Sequence, residues 1–453
     1  MDAVLLSRLQ FALTIGFHFL FPPLTIGLAW LLVVAEWKGW RNNDEDWTKV
    51  GKFFSKIFAL SFAVGVASGI VMEFQFGTNW AEYSKFVGDI FGAPLAAEGV
   101  LAFFLESGFL GLYLLGRGKI SKGWHWFSIL MVAVGATISA FWIIVANSWQ
   151  QTPGNFDPSG AYVLAGTAVE GGRAVMKDFW SVVFTSSTMI RFLHTVIAAI
   201  VAGAFFMAGI AAYLLRKDSQ DPVARRAMKL AISIGLPAAL LVAFPTGHMH
   251  AQQVAHDQPE KFAAIEGLYQ SADSHAPLVL FAYPTDHPPE LKGKIEIRGM
   301  LSWMAFGDIS APIKGLDAFK LDEIPPLWMT FVSFHNMVIL GMSFILTMMW
   351  AAWCWRGQTL WTSRRFLMLM ICMVPLPLAA CQFGWVTAEV GRQPWIVYKL
   401  LKTANAISVT VPPGQILLSL VLILGVELLI LWVYFRTLFK KVKAGPHATA
   451  AAA

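Results

Sequence analysis

The sequence predicts an all-α membrane protein, a polytopic bundle of nine transmembrane helices. Composition is the first reason: 57% of the 453 residues are hydrophobic and 14% are charged, whereas a soluble domain carries roughly 25% charged residues. The second reason is a series of nine apolar stretches, and the third is the placement of basic residues between them. One soluble core cannot bury this much apolar surface, because cores stop growing near ~250–300 residues. Soluble globular, disordered and fibrous classes are therefore excluded.

Each apolar stretch approaches the ~20 residues that a transmembrane helix needs. The first one contains His18 and the Pro22-Pro23 pair and starts from an acidic N-terminus, so we interpret it as a retained span that kinks at the prolines rather than a cleaved signal. The nine predicted spans are roughly 11–35, 54–78, 93–115, 125–147, 181–214, 228–246, 327–352, 366–388 and 413–437.

The basic residues predict the orientation of these spans. With the N-terminus outside, the inside loops and tail hold 20 Lys and Arg, and the short outside segments hold 7. Because cytoplasmic loops are enriched in basic residues, this bias predicts an outside N-terminus and a cytoplasmic C-terminus. Arg191 alone among the basic residues lies well inside a span rather than at its end.

The chain divides at its one long extramembrane segment. Residues 1–246 carry spans one to six, 247–326 form an extracytoplasmic loop, 327–437 carry spans seven to nine, and 438–453 form a cytoplasmic tail. A loop of about 80 residues exceeds an ordinary connection, so we expect a lid or binding loop. Its stretch 258–266 is typical of one or two helical turns.

Two histidines lie at membrane depth, where ionisable groups are costly and usually functional. His18 lies in the first span and His194 in the fifth. Either could simply hydrogen bond to a neighbouring carbonyl, or could be an axial ligand of haem iron. For His194 the second interpretation is strengthened by Arg191 on the same helix face, which could pair with a porphyrin propionate, and by the small residues that follow.

The third and seventh spans also carry side chains that could serve as acids, bases or metal ligands. Glu98 and Glu106 are eight residues apart, so both carboxylates share one helix face about 12 Å apart. They are either acids at the lipid edge or a line of proton-carrying groups. Met337 is either ordinary packing or a thioether ligand to haem iron, and His335, two residues away, points to another face.

The densest motif is GWVTAEVGRQPW at the end of the eighth span. Trp385, Glu389, Arg392 and Trp395 share one side if the helix persists past Gly391, although Pro394 predicts a break nearby. An acid, an arginine and two indoles indicate either the edge of a cofactor site or an interfacial aromatic belt with an ion pair. Glu427, deep in the ninth span, has no partner in the sequence, and no role is assigned to it.

Taken together, these motifs resemble subunit I of cytochrome bd-type quinol oxidases, of the short quinol-loop type. The resemblance extends over nearly the whole chain, and it rests on the segments SRLQFALTIGFHFLFPPLTIG, EFQFGTNWAEYSKFVGDIFGAPLAAEGVLAFFLES, RFLHTV, PEKFAAIEG and GWVTAEVGRQPW. It implies nine spans, an outside N-terminus and a quinol-binding loop between spans six and seven. The charge distribution predicts the same topology independently.

The resemblance implies three haems. His194 and Met337 match the ligands of a low-spin haem b, and His18 and Glu389 match the ligands of two high-spin haems. One of the two is b-type, and the other is haem d or a substitute. Which position holds the oxygen-reactive haem stays open.

The resemblance also implies roles in proton and quinol chemistry. Glu98, Glu106 and Ser107 match a route that brings protons from the cytoplasm, and Lys261 and Glu266 match loop residues linked to quinol oxidation.

A further set of matches concerns cofactor binding, which is implied for Trp385, Arg392, Arg8 and His335. His335 stands where the family usually has Arg, so it would stabilise a haem propionate less well, and it raises a second alternative in which His335 itself binds iron.

The function implied is a terminal oxidase subunit in a bacterial cytoplasmic (inner) membrane that oxidises quinol and reduces O2 to water. Proton motive force would come from vectorial proton uptake without pumping. Subunit II, small single-span subunits and the lipid bilayer are the partners expected, and nucleic acid is not. The alternatives are a b-type cytochrome that passes quinol electrons to a partner without reducing O2, and a colourless proton-coupled transporter that uses the intramembrane acids alone.

Overall fold

The computed structural model describes residues 2–286 and 289–447, and over these residues nine helical units are long and apolar enough to cross a membrane. The predicted all-α bundle is therefore confirmed. The units are Ala3–Arg41, Glu45–Thr78, Ala81–Leu115, Lys122–Gln151, Thr188–Lys217, Pro222–Asp257, Leu327–Arg356, Arg364–Val390 and Pro413–Ala444.

Prolines interrupt the first of these units. It consists of α1 (Ala3–His18) and α2 (Phe21–Arg41), and α2 has Pro22 and Pro23 in its first turn. Proline suits the first turn of a helix, where its missing N–H is not needed, but not the interior. The expected kink is thus confirmed, and it lies at Phe19 and Leu20, just before the prolines.

Two other units contain a turn of π-helix. The third unit consists of α4 (Ala81–Ala97), a π segment (Glu98–Phe103) and α5 (Phe104–Leu115). The sixth consists of α9 (Pro222–Leu241), a π segment (Val242–Gly247) and α10 (His248–Asp257), so the helix continues past residue 246. Single π turns within helices are frequent at functional sites, and both of these carry polar residues discussed below.

The remaining spans are α3 (Glu45–Thr78), α6 (Lys122–Gln151), α8 (Thr188–Lys217), α13 (Leu327–Arg356) and α16 (Pro413–Ala444). The eighth unit is broken into α14 (Arg364–Cys372) and α15 (Leu376–Val390), and a short helix, α7 (Phe179–Val183), precedes α8.

Helix α8 lies at the centre of the bundle and packs against α2 and α9. A Cβ on Gly27 of α2 would lie 2.0 Å from the Ala199 carbonyl oxygen of α8, so these two helices approach at glycine. The largest core cluster includes Leu28, Phe54 and Phe205.

One end of the bundle, here called the loop end, carries the short two-stranded antiparallel sheets. The strands are β1 (Gly154–Phe156) with β2 (Tyr162–Leu164), β3 (Thr167–Glu170) with β4 (Arg173–Met176), and β7 (Trp395–Val397) with β8 (Leu401–Lys402). The opposite end is here called the basic end. It contains ion pairs that join separate parts of the chain, such as Arg117 with Glu36 and Arg226 with Asp44.

The long segment covers the loop end. It contains α11 (Pro259–Glu266), which confirms the predicted helical turns, then β5 (Leu278–Asp286), β6 (Pro289–Ile297) and α12 (Met300–Phe306). Helix α11 packs against α13, and its residues 260–266 are all buried. The sequence prediction missed the β5–β6 hairpin, although in β6 charged residues at 290, 292, 294 and 296 alternate with apolar residues or glycine.

Candidate functional site

The Glu389 carboxylate, near the end of α15, is held by donors from three directions. Asn147 Nδ2 donates to Glu389 Oε1 at 2.9 Å, and Gln151 Nε2 donates to the same oxygen at 3.3 Å. The Arg392 guanidinium forms an ion pair with Oε2. The Arg392 side chain is only 4% exposed, so this is a buried ion pair and not a surface pair at a membrane interface.

Arg392 reaches Glu389 because α15 ends at Val390 and the chain turns back. The helix does not persist past Gly391, and Trp395 begins β7, so the break near Pro394 that the sequence predicts is confirmed. Within the described residues the buried Nη1 of Arg392 has no hydrogen-bond partner. An unpaired buried guanidinium nitrogen beside a carboxylate fits an anionic group such as a porphyrin propionate. Trp385, one helical turn before Glu389, is half-buried.

The network around Glu389 continues into α8 and α11. Arg191 donates to the Asn147 side-chain oxygen, and the Lys261 ammonium donates to Gln151 Oε1 at 2.7 Å. Burial lowers the pKa of Lys261 well below its ordinary value, and the nearby Arg191 charge lowers it further. Lys261 therefore belongs to the Glu389 network, which links the long segment to the membrane helices.

His194 of α8 is oriented by the second π segment. Its Nδ1 lies 3.3 Å from Thr246 Oγ1, and the Thr246 hydroxyl donates its own proton to the Leu241 carbonyl at 3.0 Å. The hydroxyl must then accept from Nδ1–H, which leaves the Nε2 lone pair free for another partner. His250 of α10 lies beside it, with ring centroids 5.5 Å apart.

His18, the last residue of α1, repeats this arrangement. Its Nδ1 lies 3.0 Å from Ser68 Oγ, and Ser68 donates to the Val64 carbonyl at 2.9 Å. Again Nε2 keeps the lone pair that a metal needs. A Cβ on Gly69 would lie 3.2 Å from the His18 ring, so glycine makes room for the imidazole.

Met337 lies where α13 packs on α15. A Cβ on Gly384 of α15 would lie 2.9 Å from the Met337 sulfur, so only glycine leaves space for this thioether. Helix α13 also packs against the π segment that holds Thr246. A thioether and two imidazoles with free Nε2 positions form a donor set that fits haem iron.

The His335 ring contacts two carbonyl groups. Nδ1 lies 3.0 Å from the Phe331 carbonyl oxygen, and Nε2 lies 3.0 Å from the Val279 carbonyl oxygen in β5. Neither nitrogen is left for iron in this arrangement, which speaks against His335 as a ligand. The ring instead joins α13 to the hairpin of the long segment.

Glu98, the first residue of the first π segment, and Glu106, in the first turn of α5, both face α6. Ser139 Oγ donates to Glu98 Oε1 at 2.7 Å. One turn away on α6, a Cβ on Gly135 would lie 3.1 Å from Glu106 Cβ. Ser107 instead donates to the Phe103 carbonyl of its own helix at 2.7 Å, so the structure groups the two acids but not the serine.

Glu266 lines a cleft at the loop end, separate from Lys261. The cleft has a volume of about 150 Å³. Glu266 is 4% exposed, and its Oε2 has no hydrogen-bond partner among the described residues. Burial raises the pKa of Glu266 to about 8. The lining comes from α10, α11, β5, α12 and α13 and includes His248, Phe262, Glu266, Leu280, Met304 and His335.

Some residues differ from the sequence prediction. Arg8 is exposed, and no hydrogen bond joins it to the described residues. Sequence reasoning missed Asn147, Gln151 and Ser139, although the first two are spaced i, i+4 at the polar end of an apolar helix. Such a pair on one helix face is a signal that could have been found.

Comparisons with known proteins identify the family of this chain. The family model described as "Cytochrome bd terminal oxidase subunit I" matches residues 6–446. "Cytochrome bd ubiquinol oxidase subunit 1" of Bacillus subtilis (strain 168) is 38% identical, over 98% of this chain and 94% of that protein. "Cytochrome bd-II ubiquinol oxidase subunit 1" of Escherichia coli (strain K12) is 32% identical, over 99% of this chain and 98% of that protein.

The structural comparison gives the same answer. The bd oxidase from Geobacillus thermodenitrificans superimposes with a TM-score of 0.89 at 29% identity, covering 98% of this chain and 99% of that chain. The chain belongs to the cytochrome bd terminal oxidase subunit I family. It is accordingly an integral membrane protein and a haem-carrying subunit of a respiratory quinol oxidase.

Proposed function

We propose that this chain oxidises membrane quinol at its loop end and supplies the cofactor ligands and protons for reduction of O2 to water. The ligand set supports this best. His18 and His194 each have Nδ1 hydrogen bonded to a hydroxyl that donates elsewhere, which leaves Nε2 for iron. Histidines that only filled space in the bundle would not both need a hydroxyl group that accepts from Nδ1–H.

Three haem positions follow from these residues. His194 and Met337 would hold a low-spin haem b, and His18 and Glu389 would each hold a high-spin haem, one b-type and one haem d or a substitute. When bound, the haems would carry electrons one at a time from quinol to O2. Arg392 would neutralise negative charge beside Glu389, and its unpartnered Nη1 is available to a propionate.

The cleft beside Glu266 is the proposed quinol site. Its walls are mostly apolar, as quinone rings require, and its one buried carboxylate has an unpartnered oxygen. Because burial raises the pKa of Glu266 to about 8, this carboxyl can accept a hydroxyl proton near neutrality and release it. Lys261 would tie the long segment to the Glu389 network through Gln151.

Protons for water formation would pass along Glu106 and Glu98. Both acids face α6, and Ser139 holds Glu98, the second acceptor, in place. With the N-terminus outside and the C-terminus in the cytoplasm, quinol would release protons outward while these acids take protons from inside. Charge would then cross the membrane without a pump.

The proposed setting is a bacterial cytoplasmic membrane. Subunit II and small single-span subunits would accompany this chain. Much of α16 and α5 is apolar and exposed, in keeping with contact to lipid or to such partners.

The proposal is tested on the purified oxidase by a reduced-minus-oxidised spectrum with pigment extraction and by quinol-dependent oxygen uptake. His194→Ala should abolish the low-spin haem signal and leave the other two haems in place. Retention of that signal would show that His194 is not the ligand.

The same measurements separate the two rival functions. A b-type cytochrome without oxidase activity would show haem spectra but no oxygen uptake with quinol. A proton-coupled transporter would be colourless. The sites at His18 and Glu389, in addition to the His194 and Met337 pair, favour the oxidase.

A further inference from the structure

Glu427 of α16 is a buried acid that no proposed role includes. It lies in the middle of the 32-residue helix and is 5% exposed. Its Oε1 has no hydrogen-bond partner among the described residues. Burying a carboxyl group without a partner costs several kcal/mol by order of magnitude, so an unpaired oxygen at this depth indicates a contact with something other than these side chains.

The carboxyl group faces the protein and not the lipid. The buried residues of α16 are Ile416, Glu427, Tyr434 and Leu438, which follow the helical repeat and form one stripe. The neighbouring Leu428 is 57% exposed. An acid kept on the protein-facing stripe of an otherwise lipid-facing helix is directed into the bundle, where α16 packs on α1 and α3.

Two contacts fix the register of α16 on these neighbours. Towards the loop end, Gln10 Nε2 of α1 donates to Ser419 Oγ at 3.0 Å. Further along, the Tyr434 hydroxyl lies 3.0 Å from Ser61 Oγ of α3. Helices α1 and α16 both begin at the loop end, whereas α3 ends there, so positions between these contacts can be matched by counting residues.

Counting places Glu427 level with His18. Glu427 is eight residues after Ser419, and His18 is eight residues after Gln10. On α3, Ser68 is seven residues from Ser61, just as Glu427 is seven residues from Tyr434. Each interval is about two helical turns, or ~10–12 Å. Along the helix axes, Glu427 therefore lies within about one turn of the level of the His18–Ser68 contact.

We propose that Glu427 is a further residue of the cofactor site at His18, where its unpartnered carboxyl oxygen makes a hydrogen bond to the bound group or to a water on it. This inference rests on the proposed function, because it takes His18 as an iron ligand. Glu427 is then a positioning residue of that site, supplied by the last helix.

The variant Glu427→Gln tests this, because it keeps the side-chain shape and changes the hydrogen-bonding group. The purified oxidase should keep its full haem content and its low-spin spectrum. The absorption bands of the high-spin haems should shift, and the reduction equilibrium of one of them should change by about fivefold, the equivalent of one hydrogen bond. Leu428→Gln, which puts the same amide one residue away on the exposed face, is the matched control and should change neither.

The outcomes separate the inference from the proposed function. Unchanged high-spin bands and potentials in Glu427→Gln would overturn the inference. His18→Ala is measured in parallel, and if it leaves all high-spin bands intact, the proposed function itself is wrong at His18. If Glu427→Gln does not assemble, Glu427→Asp keeps the carboxyl with a shorter reach. A shifted band or potential in that variant supports the inference, and an unchanged one overturns it.

Discussion

Two groups of carboxylates within the membrane helices differ in how many partners they have. Glu389 at the loop end accepts from Asn147 and Gln151 and pairs with Arg392. Glu106, on the first π-containing unit, is buried, yet the described residues offer it no hydrogen bond or ion pair. Glu389 is half-buried, and of these two acids it alone has a neighbouring cation among the described residues.

The difference teaches what each carboxylate can do. An acid held by an arginine and two amides is kept ionised and immobile, which suits an anionic ligand. An acid with few partners costs more free energy to ionise, so it gains and loses a proton more readily. Glu98, which accepts only from Ser139, belongs with Glu106 in this respect. Variants at these positions should distinguish an acid that stays ionised from an acid that carries protons.

The largest effect is expected for Glu389→Leu. Removing the carboxylate should delete the absorption of one high-spin haem and abolish oxygen uptake, because a ligand is lost and the buried Arg392 charge is left unpaired. Haem extraction and optical spectra measure this. Full haem content with normal bands would show that Glu389 is not a ligand.

The second largest effect is expected for Glu266→Gln, because Glu266 Oε2 has no hydrogen-bond partner among the described residues at the loop end. Quinol oxidation should fall by about 1,000-fold in kcat/KM, within the range for loss of a general base. Burial raises the pKa of Glu266 to about 8, and only the ionised form accepts a proton, so wild-type activity should rise with pH up to about 8. A slope that persists in the variant would assign the titration to another group.

Glu106→Gln should slow oxygen reduction by about 100-fold while all haem bands persist, because the amide cannot carry a proton. Ser107→Ala is the comparison within the same turn. Its hydroxyl is bound to the Phe103 carbonyl, so it should retain most activity. Equal losses in both variants would contradict the assignment of the proton line to the two acids.

Gly135→Ala should disturb Glu106 from the opposite helix. The added Cβ would lie 3.1 Å from Glu106 Cβ and 3.2 Å from its backbone nitrogen, so α5 must move away from α6. We expect a loss of about tenfold in turnover, which is ~1.4 kcal/mol. Gly111→Ala on α5, where a Cβ meets nothing within 4 Å, is the matched control and should remain near wild type.

The smallest effect on activity is expected for Asn147→Ala, which leaves Glu389 its pair with Arg392 and its bond from Gln151. Loss of one hydrogen bond to a charged group should cost about 2 kcal/mol of stability, seen as a lower thermal midpoint with a small shift of the high-spin bands. Complete loss of a haem would mean that Asn147, and not Arg392, holds the carboxylate in place.

Hydropathy predicted the spans well because apolar length is a local property of the sequence. The spans around 54–78, 125–147 and 413–437 each fall within one continuous helix. Helix ends were less accurate, since polar residues such as those of α10 continue a helix beyond the apolar stretch.

The partners within the site could not be predicted in the same way. Asn147 and Glu389 are 242 residues apart, and nothing local indicates that α6 and α15 meet. The same holds for Thr246 and Ser68, which orient the two histidines from other helices. The sequence identifies the ionisable side chains that lie in the membrane, but only the packing shows which helix supplies their hydrogen-bond partners.

The π segment at Glu98–Phe103 has a consequence for how the third unit tolerates a change of length. A π turn closes its hydrogen bonds between residues i and i+5, so it holds one residue more than an α turn. Deleting one residue between Glu98 and Glu106 would leave them seven residues apart, and at about 100° per residue a regular α-helix again places both acids on one face. The pair of acids should therefore tolerate one deletion in this stretch, whereas the same deletion in an uninterrupted span would turn one half of the helix by about 100° against the other.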